Sequence, residues 1–114
     1  MRKRVIYIED DDACREPLID VLELAGHTVF GYATAEDARP TFTDTDVDVA
    51  IIDVRLPGQG GDAFATELRR ANPDVQIIFL TGDYNVDHLK DAVPDALCLS
   101  KPVDVDVLLN LIGR

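Results

Sequence analysis

No apolar run among the 114 residues approaches the roughly 18 needed to cross a membrane as a helix. A membrane-spanning helix is therefore excluded. The start, Met1-Arg2-Lys3-Arg4, leads into only four apolar residues before Glu9, so no signal peptide is expected and the protein is expected to be cytoplasmic. Basic residues are scarce, 11 against 22 acidic ones. Such a surface repels phosphate backbones, and direct nucleic-acid binding is not expected. The only two cysteines, Cys14 and Cys98, have no metal-ligand spacing and cannot build a disulfide framework, so both are read as reduced thiols. Repeats, low-complexity segments and linkers are also lacking. The length fits one domain, residues 1–114, and is too short for two.

What is present is an alternation. Apolar runs of four or five residues are separated by stretches of helical period, the pattern of βα units around a parallel sheet. Five strands are expected at about Val5 to Ile8, Thr28 to Tyr32, Val49 to Asp53, Val75 to Leu80 and Ala96 to Leu99. After the first, Asp11 or Asp12 can cap a helix carrying Leu18, Val21, Leu22 and Ala25, with Gly26 as its left-handed stop. Pro17 should distort that helix locally. The second helix opens at Thr34, with Asp37 three residues on, and Pro40 is expected to cut it short. The third carries Phe64, Leu68 and Ala71 and stops at Asn72-Pro73. The fourth spans roughly Val86 to Val93, and the fifth presents Val107, Leu108, Leu111 and Ile112. His27 and His88 are read as solvated.

The polar residues that end these strands carry the chemistry. In an open parallel sheet the ligand site lies outside the carboxyl ends of the strands. Glu9-Asp10, Asp53, Thr81 and Lys101-Pro102 each follow such a run, so they should converge on one pocket. A carboxylate can attack phosphorus only if the accumulating negative charge is neutralised. Magnesium suits that task, since it prefers a few hard oxygen ligands and keeps several waters. Glu9, Asp10 and Asp53 fit as its carboxylates. Two like charges about 4 Å apart repel by about 1 kcal/mol even in water, so the pocket favours a cation. Lys101 supplies a fixed positive charge, and Thr81 a hydrogen bond to a phosphoryl oxygen. Each residue has a plainer role open to it: aspartates at loop starts cap helices or form turns, and lysines lie along surfaces. Asp11 and Asp12 are read as capping and solvated. Cys14 is near a helix N-terminus, but the acids beside it oppose an activated thiol.

Taken in order, these residues resemble the receiver domain of two-component response regulators, over essentially the whole chain. The resemblance implies a flavodoxin-like, doubly wound five-stranded parallel sheet in the order 2-1-3-4-5 with five helices. It makes Asp53 the phosphoacceptor, Asp10 a direct Mg2+ ligand, Glu9 a ligand acting largely through water, and the backbone carbonyl of Arg55 a further ligand. Thr81 and Lys101 would contact the phosphoryl group, with the Lys101-Pro102 bond cis. The implied partners are a histidine kinase or phosphotransfer protein as phosphodonor, and an output domain or partner protein as receiver of the signal. A membrane partner is not implied, and the oligomeric state stays open.

The chain departs from the family at three places. Cys98 stands where receivers usually carry a Tyr or Phe that turns inward with the Thr, so the usual relay should be weak or replaced, with Tyr84 as a possible substitute. The interval from Thr81 to Lys101 is short and the segment 91–96 lacks the usual Gly-Ala turn, so the fourth helix should be short or displaced. The customary Met-Asp-Gly reads Gln59-Gly60-Gly61 here, and the glycines of segment 58–61 should loosen the loop beside Asp53. Arg55 and Asp83 should flank the pocket mouth, where pairing between them would restrict water.

Two other classes of protein share parts of this pattern. A haloacid-dehalogenase-type Mg2+-dependent phosphohydrolase uses an acid two residues after its nucleophile, where this chain has Arg55, and the length leaves no room for a cap. A receiver-like interaction domain that is never phosphorylated is opposed by the intact acids, Thr81 and Lys101. A receiver is not an enzyme on other substrates; it promotes only its own phosphorylation and dephosphorylation.

Overall fold

The computed structural model describes residues 2–44, 46–55, 60–82 and 87–113. Among them, strands and helices alternate from one end to the other: β1 (Arg4–Ile8), α1 (Asp12–Leu24), β2 (Thr28–Tyr32), α2 (Ala35–Asp44), β3 (Val49–Asp53), α3 (Gly61–Ala71), β4 (Gln76–Thr81), α4 (Asp87–Ala92), β5 (Leu97–Ser100) and α5 (Val105–Ile112). The strands pair in parallel in the order β2-β1-β3-β4-β5. This is the doubly wound sheet expected from the sequence.

The unbroken apolar strands follow from burial on both faces. Side chains alternate across a strand. Ile6, Ile8, Ala50, Ile52, Ile77 and Phe79 therefore face a core closed by α2, α3 and α4. Val5, Tyr7, Val49, Ile51, Ile78 and Leu80 face a second core, closed by α1 and α5. Each fully buried Leu, Ile or Phe contributes about 1.5–3 kcal/mol, so both layers are firmly held to the sheet. The runs of β1, β3, β4 and β5 end at the same edge, and that edge carries the polar residues.

Local signals set the helix ends. Asp11 caps α1 by accepting from Ala13 N at 2.9 Å, and Gly26 takes the left-handed conformation (φ 100°) that stops the chain beyond it. Thr34 Oγ1 accepts from Asp37 N at 3.1 Å ahead of α2. Asp104 caps α5 through Asp106 N and Val107 N. Asn72 ends α3 and ties the turn down, accepting from Asp74 N and donating to Val47 O.

Two expectations need correction. Pro40 does not shorten α2, which continues to Asp44. Proline removes one backbone donor, but its fixed φ is helical, and the helix is anchored by fully buried Ala35 and Ala38 and by the Phe42–Phe64 edge-to-face contact at 5.3 Å. Pro17 lies inside α1, which runs from Asp12 to Leu24. His27 is not solvated: it is only 3% exposed, and its Nδ1 accepts from Lys3 N at 3.1 Å. The chain doubles back under β1 there, with Thr28 N donating to Lys3 O, and that reversal folds the imidazole inward.

The helix expected before β5 is present. Among the described residues α4 covers Asp87–Ala92, held by buried Leu89, with Val93 buried just after it. Its predicted first residue, Val86, lies outside the described residues, as do Asp83 and Tyr84. No helix among the described residues is long and apolar enough to cross a membrane.

Candidate functional site

The register of the sheet brings the predicted residues together. Ile8 pairs with Ile52, Asp53 with Leu80, and Thr81 with Ser100, so the chain positions just past β1, β3, β4 and β5 line one edge. Backbone bonds extend the sheet by a rung at each place: Glu9 N to Tyr32 O at 3.0 Å, Val54 N to Leu80 O at 3.2 Å, and Lys101 N to Thr81 O at 2.9 Å. The pocket they enclose is lined by Glu9, Asp10, Asp53, Arg55, Thr81 and Lys101 together with Asp11, Cys14 and Gly82. Every side chain predicted for the site thus borders a single cleft.

Glu9, Asp53 and Thr81 are buried, at 1%, 5% and 4% exposure, while Asp10 is exposed at the mouth. Lys101 Nζ donates to Glu9 Oε1 at 2.9 Å and to Asp53 Oδ2 at 3.0 Å. The second oxygen, Asp53 Oδ1, accepts from Arg55 N at 3.1 Å. The Lys101-Pro102 peptide is cis, as expected. Carboxylate oxygens of Glu9, Asp10 and Asp53 lie within 4.8 Å of one another.

The electrostatics follow from three acids around one ammonium. Burial pushes the Glu9 carboxyl up to about 7, and Asp53 adds to the rise while Lys101 opposes it. For Lys101, burial favours the neutral amine, but the hydrogen bonds to Glu9 and Asp53 outweigh it and raise the pKa. Tyr7, under the site, is raised by burial and then by Glu9. A compact set of hard oxygens with one charge balanced and the rest not is a donor set that fits Mg2+ better than a soft or nitrogen-seeking metal.

The structure also shows what the sequence did not. Gly61 begins α3 against the end of β3: a Cβ there would lie 2.5 Å from Asp53 O and 3.2 Å from Val54 Cα. Close backbone approach, rather than looseness, is what this glycine supplies; Gly58 and Gln59 lie outside the described residues. Arg15 was also missed. Its Nη1 donates to the Glu9 backbone carbonyl at 2.6 Å and its other amino group pairs with Asp12. Its place one turn after the Asp11 cap was the available signal. Cys14 is exposed, and its hydrogen bond to Asp11 raises the thiol's pKa, in line with the unreactive thiol expected. Cys98 is half-buried beside the core of α2, α3 and α4, and burial raises it too.

Residues 5–113 match the family described as the response regulator receiver domain. The response regulator protein FleR of Pseudomonas aeruginosa is 32% identical over 116 residues, covering 100% of this chain and 24% of FleR. The response regulator receiver protein CpdR of Brucella abortus is 32% identical over 116 residues, covering 98% of this chain and 95% of CpdR. The chain thus spans about a quarter of FleR and nearly all of CpdR. In three dimensions it is similar to a CheY-like receiver domain protein from Methanospirillum hungatei, with a TM-score of 0.88 at 25% identity, covering 98% of this chain and 91% of that one.

Proposed function

Because this chain belongs to the response regulator receiver domain family of two-component systems, we propose that it is a phosphoacceptor switch in which Asp53 takes a phosphoryl group from a phosphohistidine. The observation that carries this reading is Asp53 itself, buried at the end of β3 with Lys101 on one oxygen and the Arg55 amide on the other. A lone pair of the Asp53 carboxylate attacks phosphorus, the N–P bond of the donor breaks, and its electron pair returns to the imidazole. Lys101 balances charge on the phosphoryl oxygens and the Thr81 hydroxyl donates to one of them. Glu9, Asp10, Asp53 and the Arg55 carbonyl would hold Mg2+, which when bound supplies the positive charge that lets an anion attack an anion.

The donor is a histidine kinase or a phosphotransfer protein, and the recipient of the signal is an output domain or a partner protein. The domain works in the cytoplasm, apart from nucleic acid and membrane. It catalyses only its own phosphorylation and dephosphorylation. Added charge at Asp53 shifts a two-state surface. Cys98, half-buried on β5, has too little volume to serve as the inward-turning aromatic of the usual relay, so the shift leaves the site by another route.

Incubation with Mg2+ and acetyl phosphate, followed by intact mass measurement, tests the reading. Wild type should gain one phosphoryl group, and Asp53→Asn none. A wild type that stays unmodified would favour the alternative of an unphosphorylated interaction domain.

A further inference from the structure

One side chain that reaches the end of β1 is not used by the phosphoacceptor reading. Arg15 stands in α1, its side chain only 15% exposed, and it donates to the Glu9 carbonyl at 2.6 Å while pairing with Asp12. Every other polar group of Glu9 is also held. Its N–H donates to Tyr32 O, its Oε1 accepts from Lys101, and its Oε2 accepts from Asp11 N at 3.4 Å. The carbonyl is the group that joins Glu9 to Asp10. Because the peptide is planar, holding that oxygen fixes the plane from which the Asp10 Cα departs. Asp10 is exposed, and among the described residues no hydrogen bond or ion pair holds its carboxylate, so its aim follows from this plane.

The packing of α1 on β2 lies beside the clamp. Gly31, on β2 opposite Tyr7, sits under α1. A Cβ there would meet Ile19 Cδ1 at 2.5 Å and Arg15 Cδ at 3.7 Å. Such a Cβ would have to displace the flexible tip of Ile19, while the Arg15 stem would stay in ordinary contact, so α1 packs closely on β2 beside the clamp.

We propose that Arg15 is a positioning residue that aims the Asp10 carboxylate at the divalent cation; this rests on the reading of Glu9, Asp10 and Asp53 as the carboxylates that hold Mg2+. Charge and geometry predict opposite outcomes when Arg15 is removed. A guanidinium beside the cluster repels an incoming cation, so deleting its charge alone tightens Mg2+ binding. Losing the clamp loosens it, because an exposed aspartate must then be ordered at the moment of binding.

Calorimetric titration of the full chain with Mg2+ separates the two, using wild type, Arg15→Ala and Arg15→Lys. Arg15→Ala should weaken binding by about ten-fold, the lower end for residues that orient metal ligands. Arg15→Lys, which keeps one donor for the Glu9 carbonyl but loses the fork, should recover part of that loss. Amide exchange at Asp11 without Mg2+ should speed up in Arg15→Ala, since its acceptor is Glu9. Equal or tighter binding by Arg15→Ala overturns the proposal. If that variant does not fold, Arg15→Lys decides alone, and wild-type affinity in it overturns the proposal. A wild type that binds no Mg2+ overturns the three-carboxylate reading and this inference together, whereas normal wild-type binding with unchanged variants overturns only the inference.

Discussion

Lys101 Nζ stands 3.0 Å from Asp53 Oδ2, across 48 residues of sequence, and the same ammonium reaches Glu9 Oε1 at 2.9 Å. One side chain therefore holds two buried acids from two different strand ends. Replacing it with a neutral residue of similar stem, Lys101→Met, leaves those acids facing each other. Lys101 is what lowers the Glu9 carboxyl against burial and Asp53, which hold it at about 7 even with the ammonium in place, so in the variant Glu9 rises further and takes up a proton at higher pH. The variant should lose about 1 kcal/mol of stability, a modest figure because the ammonium is a third exposed. Phosphorylation by acetyl phosphate should slow by at least about ten-fold. Urea unfolding and timed intact-mass measurements check the two effects separately.

Gly61 and Gly60 are neighbours with different burdens. A Cβ at Gly61 would collide with backbone, Asp53 O at 2.5 Å and Val54 Cα at 3.2 Å, whereas one at Gly60 would meet only the Asp62 side chain at 2.9 Å. Gly61→Ala should destabilise by about 1–3 kcal/mol and slow modification of Asp53, whose carbonyl must shift. Gly60→Ala should stay within about 0.5 kcal/mol of wild type. Equal effects in denaturant melts of the two variants would refute the close-approach argument.

His27 gives a pH dependence of known sign. Burial first, then the N-terminal amine and Lys3, lower its pKa from 6.5. The unfolded chain therefore takes up a proton at a pH where the folded chain does not. Stability from His27 is fully present above pH 6.5 and declines as the pH falls through the lower folded value. Urea midpoints at pH 7.5 and pH 5.5, taken for wild type and His27→Gln, should show a smaller acid loss in the variant. The carboxylates contribute to both chains alike, so an identical loss would remove His27 from the account.

The strands and the site could be read from the sequence for the same reason. A strand buried on both faces must be apolar along its length, so Val5 to Ile8 and Val49 to Ile52 announce themselves. The polar residue that interrupts each run then falls at the sheet edge, which is where Glu9, Asp53, Thr81 and Lys101 converge. What escaped the sequence depends on contacts between distant elements. Pro40 predicts a stop, but Phe42 packing on Phe64 keeps α2 helical beyond it. His27 looks like a solvated turn residue until Lys3 is seen to donate to its ring. Gly61 reads as loop softness until β3 is seen against it, and Arg15 goes unnoticed until the Glu9 carbonyl is placed within its reach.

The central claim is that Asp53, among three clustered carboxylates, is the one that becomes an acyl phosphate. Borohydride reduces a phosphorylated aspartate to homoserine, so peptide sequencing after treatment with acetyl phosphate and Mg2+ locates the group directly. Homoserine is expected at position 53, with Glu9 and Asp10 unaltered. Reduction at Glu9 or Asp10, or at no residue of a chain that has gained a phosphoryl group, would contradict that claim.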